Sequence, residues 1–142
     1  MATLDEIWSG LADGTMERPD QAAILRVLVT RARSTAASSD PQERNNALNV
    51  AQVIGGPEAI EVYREYANDS EQSVREKMFE FAKEAGAIGL PAIRAMVKDA
   101  DPNLNHKVLE LLFDQNDPQS GTAVRGLLTD ASALRRAWAA LI

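Results

Sequence analysis

The chain has one histidine, His106, and no cysteine, so few of its side chains could act as nucleophiles or bind a transition metal. A zinc site draws several ligands from His, Cys and carboxylates, and no HExxH or related spacing is present. A serine triad would have to use His106, yet no Gly-x-Ser-x-Gly elbow occurs. No Lys-Ser or Lys-Thr follows Gly55-Gly56 or Gly86, so neither is a phosphate-binding loop. The sequence therefore predicts no catalytic, metal-binding or cofactor-binding residue.

Glu58, Glu61 and Glu65 are carboxylates whose i, i+3, i+7 spacing places them on one face of a helix. Enzymes that use two carboxylates hold them across a pocket in different environments, which separates their pKa values. An exposed stripe on one helix provides no such separation. We therefore expect a solvated face or part of a binding surface.

Composition limits the fold and the partners. The 142 residues are 45% hydrophobic, which is enough for one core, and strong helix formers dominate. The net charge of −6 argues against a nucleic-acid partner, because such binding depends on neutralising phosphates. No apolar stretch is long enough to span a membrane, and no signal peptide is evident. We expect an all-α cytoplasmic protein with no membrane partner.

Four turn motifs recur along the chain. They begin at Asp40, Asp69, Asp101 and Asp130, and their unequal spacings lie close to a period of roughly 30 residues, which is within the range of helical repeats. Each Asp is predicted to be a helix N-cap, and Pro41 and Pro102 then occupy first helical positions. Glu43 and Gln72 extend two of these starts into capping boxes. The motifs indicate an internal repeat.

Glycine and proline clusters divide each repeat into two helices, at Gly55-Gly56-Pro57, Gly86 to Pro91 and Asn116-Asp117-Pro118. Apolar residues at helical spacing follow every turn. The sequence therefore predicts one domain of antiparallel helix pairs, preceded by a short capped helix over residues 3–11. Its units are an N-terminal pair (1–39), three repeats (40–68, 69–100 and 101–129) and a terminal capping helix (130–142).

The middle repeat carries the most informative pattern. Its Asp69, Val74-Arg75, Phe81-Ala82, Gly86 and Pro91-Ala92-Ile93 resemble the HEAT-like repeats of bacterial proteins, including the bilin-lyase subgroup. The resemblance covers residues 40–142. It implies an α-solenoid, a right-handed superhelix of helix pairs, and it does not fix a function because such repeats serve many roles.

In that family, the arginine after the turn pairs with a turn aspartate. The resemblance implies that Arg75, Lys107 and Arg136 occupy this place, and that Asn46 interrupts the series in the first repeat. We expect these residues to form structural charge pairs along the stack.

Helical repeats bind partners with the layer formed by their second helices, or with their loops and ends. The predicted outward residues of that layer change from acidic to basic along the stack: Glu58, Glu61, Glu65, Arg94, Lys98 and Arg125. An elongated partner with the opposite charge pattern would fit them. Tyr66, at the edge of the apolar face, could anchor such a partner. Arg26, Arg31 and Arg33 form a cationic group on the preceding helix, which could meet phosphate or an acidic protein.

The chain ends on apolar residues, and Trp138, Leu141 and Ile142 form a candidate interface at this end. We expect Trp138 and Leu141 to lie against the third repeat. A terminal repeat without a polar outer face leaves apolar surface open, which would allow a homo-oligomer through the C-terminal end.

The leading hypothesis is a non-enzymatic protein-interaction or adaptor module whose partner is another protein. The resemblance implies an alternative, a subunit of a bilin lyase or isomerase, with Tyr63, Tyr66 or Trp138 near the chromophore. A helical-repeat DNA glycosylase is disfavoured by the net charge of −6. A subunit of a larger assembly is the third hypothesis, and it depends on the apolar end.

Overall fold

The computed structural model describes residues 18–118, 120–130 and 133–141. Within these ranges the regular elements are helices and 3₁₀ turns, with no β-strand. The all-α prediction is therefore confirmed for the described residues. The helix predicted over residues 3–11 lies outside them.

The described part of the chain folds into successive helices, most of which contact their neighbours in sequence. They are α1 (Arg18–Ser34), α2 (Pro41–Ile54), α3 (Gly56–Glu65), α4 (Gln72–Glu84), α5 (Leu90–Arg94), α6 (Pro102–Asp114), α7 (Ser120–Leu127) and α8 (Ala133–Leu141), with 3₁₀ turns at Thr35–Ala37 and Gly86–Gly89. Helix α2 packs against α1, α3 and α4, and α5 packs against α3, α4 and α6. Helix α8 packs against both α6 and α7.

Two of the predicted N-caps are confirmed. The Asp40 carboxylate accepts a hydrogen bond from the Gln42 N–H at 2.9 Å, and Asp101 accepts from the Leu104 N–H at 2.9 Å. Asp69, in contrast, is not the cap of α4, because that position belongs to Glu71. The Asp69 side chain instead accepts from the Glu71 N–H at 2.9 Å, further along the same turn. The four aspartate motifs are therefore not equivalent positions.

The positions that do correspond are the turn residues Ser38, Asp69 and Asp99. Each accepts a side-chain hydrogen bond from the N–H of the N-cap residue of the next helix. These turn residues follow one another at a nearly constant interval, in contrast to the aspartate motifs. We call these three turns the turn layer. The aspartate motifs are unequally spaced because Asp40 and Asp101 are cap residues, whereas Asp69 is a turn residue.

Arginines tie each turn to the next one. The Arg44 Nη1 donates to the Ser38 carbonyl at 2.8 Å while its Nε donates to Asp69 at 2.8 Å. Arg75 repeats both bonds with Asp69 and Asp99, at 2.7 and 2.8 Å. Both ion pairs are buried, and the hydrogen bond to Asp69 raises the pKa of the Arg44 guanidinium. Each turn is thus joined to its neighbour by a bidentate, charge-assisted contact.

The helix position of Arg44 and Arg75 makes different contacts further along the chain. In α6 it is Asn105, which is buried and donates from Nδ2 to the Val97 carbonyl at 2.7 Å. In α8 it is Arg136, whose Nη1 donates to the Asp130 carbonyl at 2.7 Å, a bond to the preceding turn like those in the first two units. Arg44, Arg75, Asn105 and Arg136 therefore form a series with nearly the same interval as the turn residues.

The expectation from the resemblance was right about the positions of Arg75 and Arg136 and wrong for two other residues. Asn46 does not interrupt the series, because Arg44 occupies the position. Lys107 is exposed, and Asn105 stands in its place. Both errors are shifts of two positions. They have one cause. The predicted positions were counted from the cap residues Asp40 and Asp101, which follow the turn residues Ser38 and Asp99 by two positions.

The first helix of each pair ends in the same backbone conformation. Gly55, Gly86 and Asn116 have φ angles of 66°, 71° and 53°, in the left-handed region that favours Gly and Asn. Their spacing along the chain matches that of the turn layer. The chain therefore reverses at equivalent points between α2 and α3, α4 and α5, and α6 and α7.

One continuous core joins the units from Ala32 to Leu112. The 3₁₀ turn after α4 approaches this core closely at Gly89, where an added Cβ would lie 1.9 Å from the Ala82 carbonyl oxygen. Any larger residue at this position would push the turn away from α4. The short α5 is held in place by this contact, and α5 in turn positions Arg94 and the residues that follow it.

Candidate functional site

The second helices of the pairs, α1, α3, α5 and α7, carry the residues that the sequence indicated for partner binding, and we call them the second-helix layer. A cavity of about 460 Å³ opens on this layer. Its lining residues come from α1, α3 and the end of α5: Arg33, Glu61, Arg64, Glu65 and Ala95. Polar and charged atoms dominate it, so the cavity suits a polar ligand or side chain better than an apolar one.

Arg33 organises the acidic side of the cavity. Its Nε and Nη2 donate to the Glu65 Oε1 at 3.0 and 2.9 Å, and its Nη1 lies 3.8 Å from the Glu61 Oε2. The side chains of Arg33 and Glu65 are 48% and 40% exposed, so solvent screens the pair. The stripe predicted on α3 is thus present, with Glu58 exposed on the same helix, but two of its carboxylates face an arginine of α1.

The predicted basic side of the layer is only partly available to a partner. Arg94 donates from Nε to Asp117 at 2.7 Å, and the Asp117 side chain is fully buried, so this pair joins α5 to the turn after α6. The charge of Arg94 is therefore paired within the protein, and its role as a partner-binding cation stays a prediction. Lys98 and Arg125 are exposed as predicted. The Arg125 Nε donates to the Gly121 carbonyl of its own helix, which leaves its charge without a carboxylate partner in the described residues.

Tyr66 is not at the surface, and its prediction as a partner anchor is wrong. Its side chain is 0% exposed, and its hydroxyl donates to the Ala32 carbonyl at 2.5 Å, which ties the end of α3 to α1. Tyr63 is also buried, and its ring lies 6.2 Å from that of Phe81. Burial raises the pKa of Tyr66, and it raises the pKa of Tyr63 to about 12. Both tyrosines that could have contacted a bilin are therefore part of the core.

The candidate end interface can be described only in part. Helix α8 packs on α6 and α7, and its Ala139 is buried in a cluster with Leu109 and Leu127. The side chains of Trp138 and Leu141, and the whole of Ile142, lie outside the described residues. The last helix does pack against the third pair. The predicted contacts of Trp138 and Leu141, and the end interface itself, stay predictions.

Arg64 is the charged lining residue that sequence reasoning missed, and for Arg33 it missed the partners. Arg33 had been noted in a cationic group on α1, but nothing in the sequence shows that it meets two carboxylates of α3. Arg64 lies between Glu61 and Glu65 in α3 and follows the same exposed face. Arg64 could have been predicted as a site residue from its position beside the predicted acidic stripe.

The remaining chemistry-bearing groups do not converge. His106 lies in α6, with its Nε2 3.5 Å from the Glu110 carboxylate one helical turn later. Within the described ranges, no three His, Cys, Asp or Glu side chains are grouped so that they could hold a metal ion. None of the described helices combines the length and the apolar character needed to cross a membrane.

Comparisons with known proteins give no relative for this chain: it matches no protein-family model, no curated protein and no solved structure.

Proposed function

We propose that this protein is a non-enzymatic protein-interaction module, a HEAT-like α-solenoid that binds a partner protein with its second-helix layer. The observation that carries the proposal is the cavity at Arg33, Glu61, Arg64 and Glu65, where exposed charged side chains from separate helices meet. In the turn layer, by contrast, the arginines are paired within the protein and buried.

The regular spacing of equivalent contacts supports the solenoid. Turn residues, arginine positions and left-handed helix ends all recur with one common period along the chain. Contacts also join like helices of neighbouring pairs, α2 with α4 and α3 with α5. Stacked repeats of this kind contact mainly their neighbours and present an extended surface, which is the surface that such proteins use for binding.

The chemistry of the cavity supports recognition over catalysis. An arginine side chain stays protonated and offers donors in a fixed planar fork, which suits it to binding carboxylates and not to proton transfer. Two glutamates facing a single arginine form a preorganised ion-pair group. Such groups at an interface contribute more to partner choice and association rate than to affinity.

Affinity capture from the source organism tests this proposal. The tagged wild-type protein is compared with a Lys98→Glu/Arg125→Glu variant of the second-helix layer and with a Lys83→Glu/Lys107→Glu control. The control changes the net charge equally at exposed lysines of α4 and α6. We expect at least one protein, identified by mass spectrometry, to be captured by the wild type and the control and lost by the layer variant. Equal capture by all three proteins, or capture of none, would contradict the proposal.

A further inference from the structure

The ion pairs of the turn layer do not extend to the last turn. In α2 and α4 an arginine pairs with the carboxylate of the next turn, through Arg44 and Arg75. The same position in α6 is Asn105, which is uncharged and donates to the Val97 carbonyl. The turn that leads into α8 is therefore not joined to α6 by an ion pair at this position.

The core is also divided near the end of the chain. The main core runs from Ala32 to Leu112. Leu109, Leu127 and Ala139 form a separate cluster of described residues, one each from α6, α7 and α8. It meets the main core at Val97, which is partly buried against both. Because α7 and α8 pack on α6 and on each other, they are attached to the rest mainly through one face of α6.

The opposite end of the stack is anchored more firmly. Helix α1 packs against both α2 and α3, and its Ala32 belongs to the main core. The Tyr66 hydroxyl donates to the Ala32 carbonyl, and both residues are fully buried. Detaching α1 would therefore break a buried hydrogen bond and also expose part of the main core.

The firmly held part of the chain reaches the turn before α7. The buried Asp117 side chain pairs with Arg94 of α5, and the Asp117 N–H donates to the Leu112 carbonyl at 2.9 Å. Asp117 is followed by Pro118, which has no N–H to continue such bonds. The chain can therefore separate from the stack after Asp117 without breaking this ion pair.

We infer that α7 and α8 detach from α6 together, as one opening unit, while α1 to α6 stay folded. The small separate cluster exposes less apolar surface on opening than the main core would, so this opening costs less free energy than global unfolding. Because Arg125 lies on α7, the second-helix layer is complete only in the closed form. The opening is a property of the protein alone and does not depend on the proposed partner binding.

Native-state hydrogen exchange, followed by mass spectrometry of peptides, tests this opening in the wild-type protein. We expect hydrogen-bonded amides of α7 and α8 to exchange at similar rates, and at least about tenfold faster than those of α1, because a tenfold ratio needs only a small difference in opening free energy.

Leu127→Ala then loosens the separate cluster. Exchange in both α7 and α8 should speed up by at least about thirtyfold, the ratio for the smallest usual cost of a buried Leu-to-Ala change, or reach the rate of an unfolded chain. Since the sequence of α8 is unchanged, its faster exchange reports the joint opening. Amides of α1 to α5 should stay within about twofold of the wild type. The control Leu48→Ala truncates a fully buried side chain of the main core and should speed up exchange in every described helix.

Three outcomes would overturn the inference. They are exchange of α1 as fast as that of α7 and α8, a change in Leu127→Ala confined to α7, or an equal change in every helix. The first would show that both ends are held alike, the second that α7 opens alone, and the third that the helices open only with the whole protein. Affinity capture tests the proposed function separately, so either proposal can fail while the other stands.

Discussion

Two arginine–carboxylate pairs of this protein have similar bond lengths and different surroundings. In the turn layer, Arg75 donates to Asp99 at 2.8 Å, and the two side chains are 12% and 1% exposed. In the second-helix layer, Arg33 donates to Glu65 at 2.9 Å, and the side chains are 48% and 40% exposed. The first pair connects two consecutive turns, whereas the second bridges two helices at the mouth of a cavity.

Because of this difference in burial, the two pairs contribute differently to the stability of the fold. Removing one partner of a buried pair leaves a charge without solvent or counter-ion, which is strongly destabilising. An exposed pair is screened and adds little to stability, so its members can be rearranged around a ligand. The buried pairs of the turn layer therefore hold the units together, whereas the exposed Arg33–Glu65 pair is available for the partner binding that we propose.

The largest effect is expected for Asp99→Asn. The asparagine can still accept from the Asp101 N–H, but Arg75 loses its carboxylate and remains mostly buried. We expect a loss of about 3 kcal/mol or more in the free energy of unfolding, measured by urea denaturation with circular dichroism. The matched change Glu65→Gln removes the exposed carboxylate and should cost less than about 1 kcal/mol. Equal losses in the two variants would contradict the division between layers.

High pH should weaken the buried face of α3 by a smaller amount. Burial raises the pKa of Tyr63 to about 12, so below pH ~10 the residue is protonated in both the folded and the unfolded state. Above that pH the unfolded state loses its proton first, and stability falls until the folded tyrosine also ionises. We expect Tyr63 to contribute a loss of roughly 2 kcal/mol between pH ~10 and ~12. This is the difference between the losses of the wild type and of a Tyr63→Phe variant, because Tyr66 also has a raised pKa and adds its own loss to both. Denaturation at a series of pH values measures it, and a Tyr63→Phe variant that loses as much would refute it.

Asn105→Ala tests whether the third unit is held in the same way as the first two. The asparagine is buried, and its amide donates to the Val97 carbonyl, which would be left without this donor. We expect a destabilisation of about 1–2 kcal/mol, read from the denaturation midpoint. Asn103→Ala, at an exposed position in the same helix, is the control and should differ little from the wild type. If Asn103→Ala were as destabilising as Asn105→Ala, the destabilisation would come from the change in the helix and not from the lost hydrogen bond to Val97.

The smallest effect is expected for Arg33→Gln. The pair with Glu65 is exposed, so we expect less than about 0.5 kcal/mol of destabilisation at low salt and none in concentrated salt. Thermal unfolding at two ionic strengths checks this. A loss as large as that of Asp99→Asn, independent of salt, would show that the second-helix layer also holds the fold together.

Much of the local structure could be predicted from the sequence. Asp40-Pro41 and Asp101-Pro102 start helices as expected, since an aspartate cap followed by proline is a strong local signal. The true repeat length was harder to find, because Asp40 and Asp69 look alike and have different roles. The left-handed Gly55, Gly86 and Asn116 mark the correct interval. A search based on these helix ends would have placed Arg44 and Asn105 correctly.

The site was less predictable, because its contacts join residues that are far apart in the sequence. Arg33 meets Glu61 and Glu65 only when α1 and α3 pack side by side. Similarly, the pairing of Arg94 with Asp117 depends on where the turn after α6 passes. The burial of Tyr66 had a weaker local signal, since it follows Tyr63 at i+3 on the buried side of α3. Exposure of a long side chain cannot be read from helical periodicity alone.

The central claim, that the second-helix layer binds the partner, is tested most directly by site-specific photo-crosslinking in cells of the source organism. A photoreactive amino acid is placed at Lys98, which is exposed after the end of α5, or at Lys107, which is exposed on α6. The account predicts a crosslinked partner protein from position 98 and none from position 107. Crosslinking from position 107 alone, or from neither position, would contradict it.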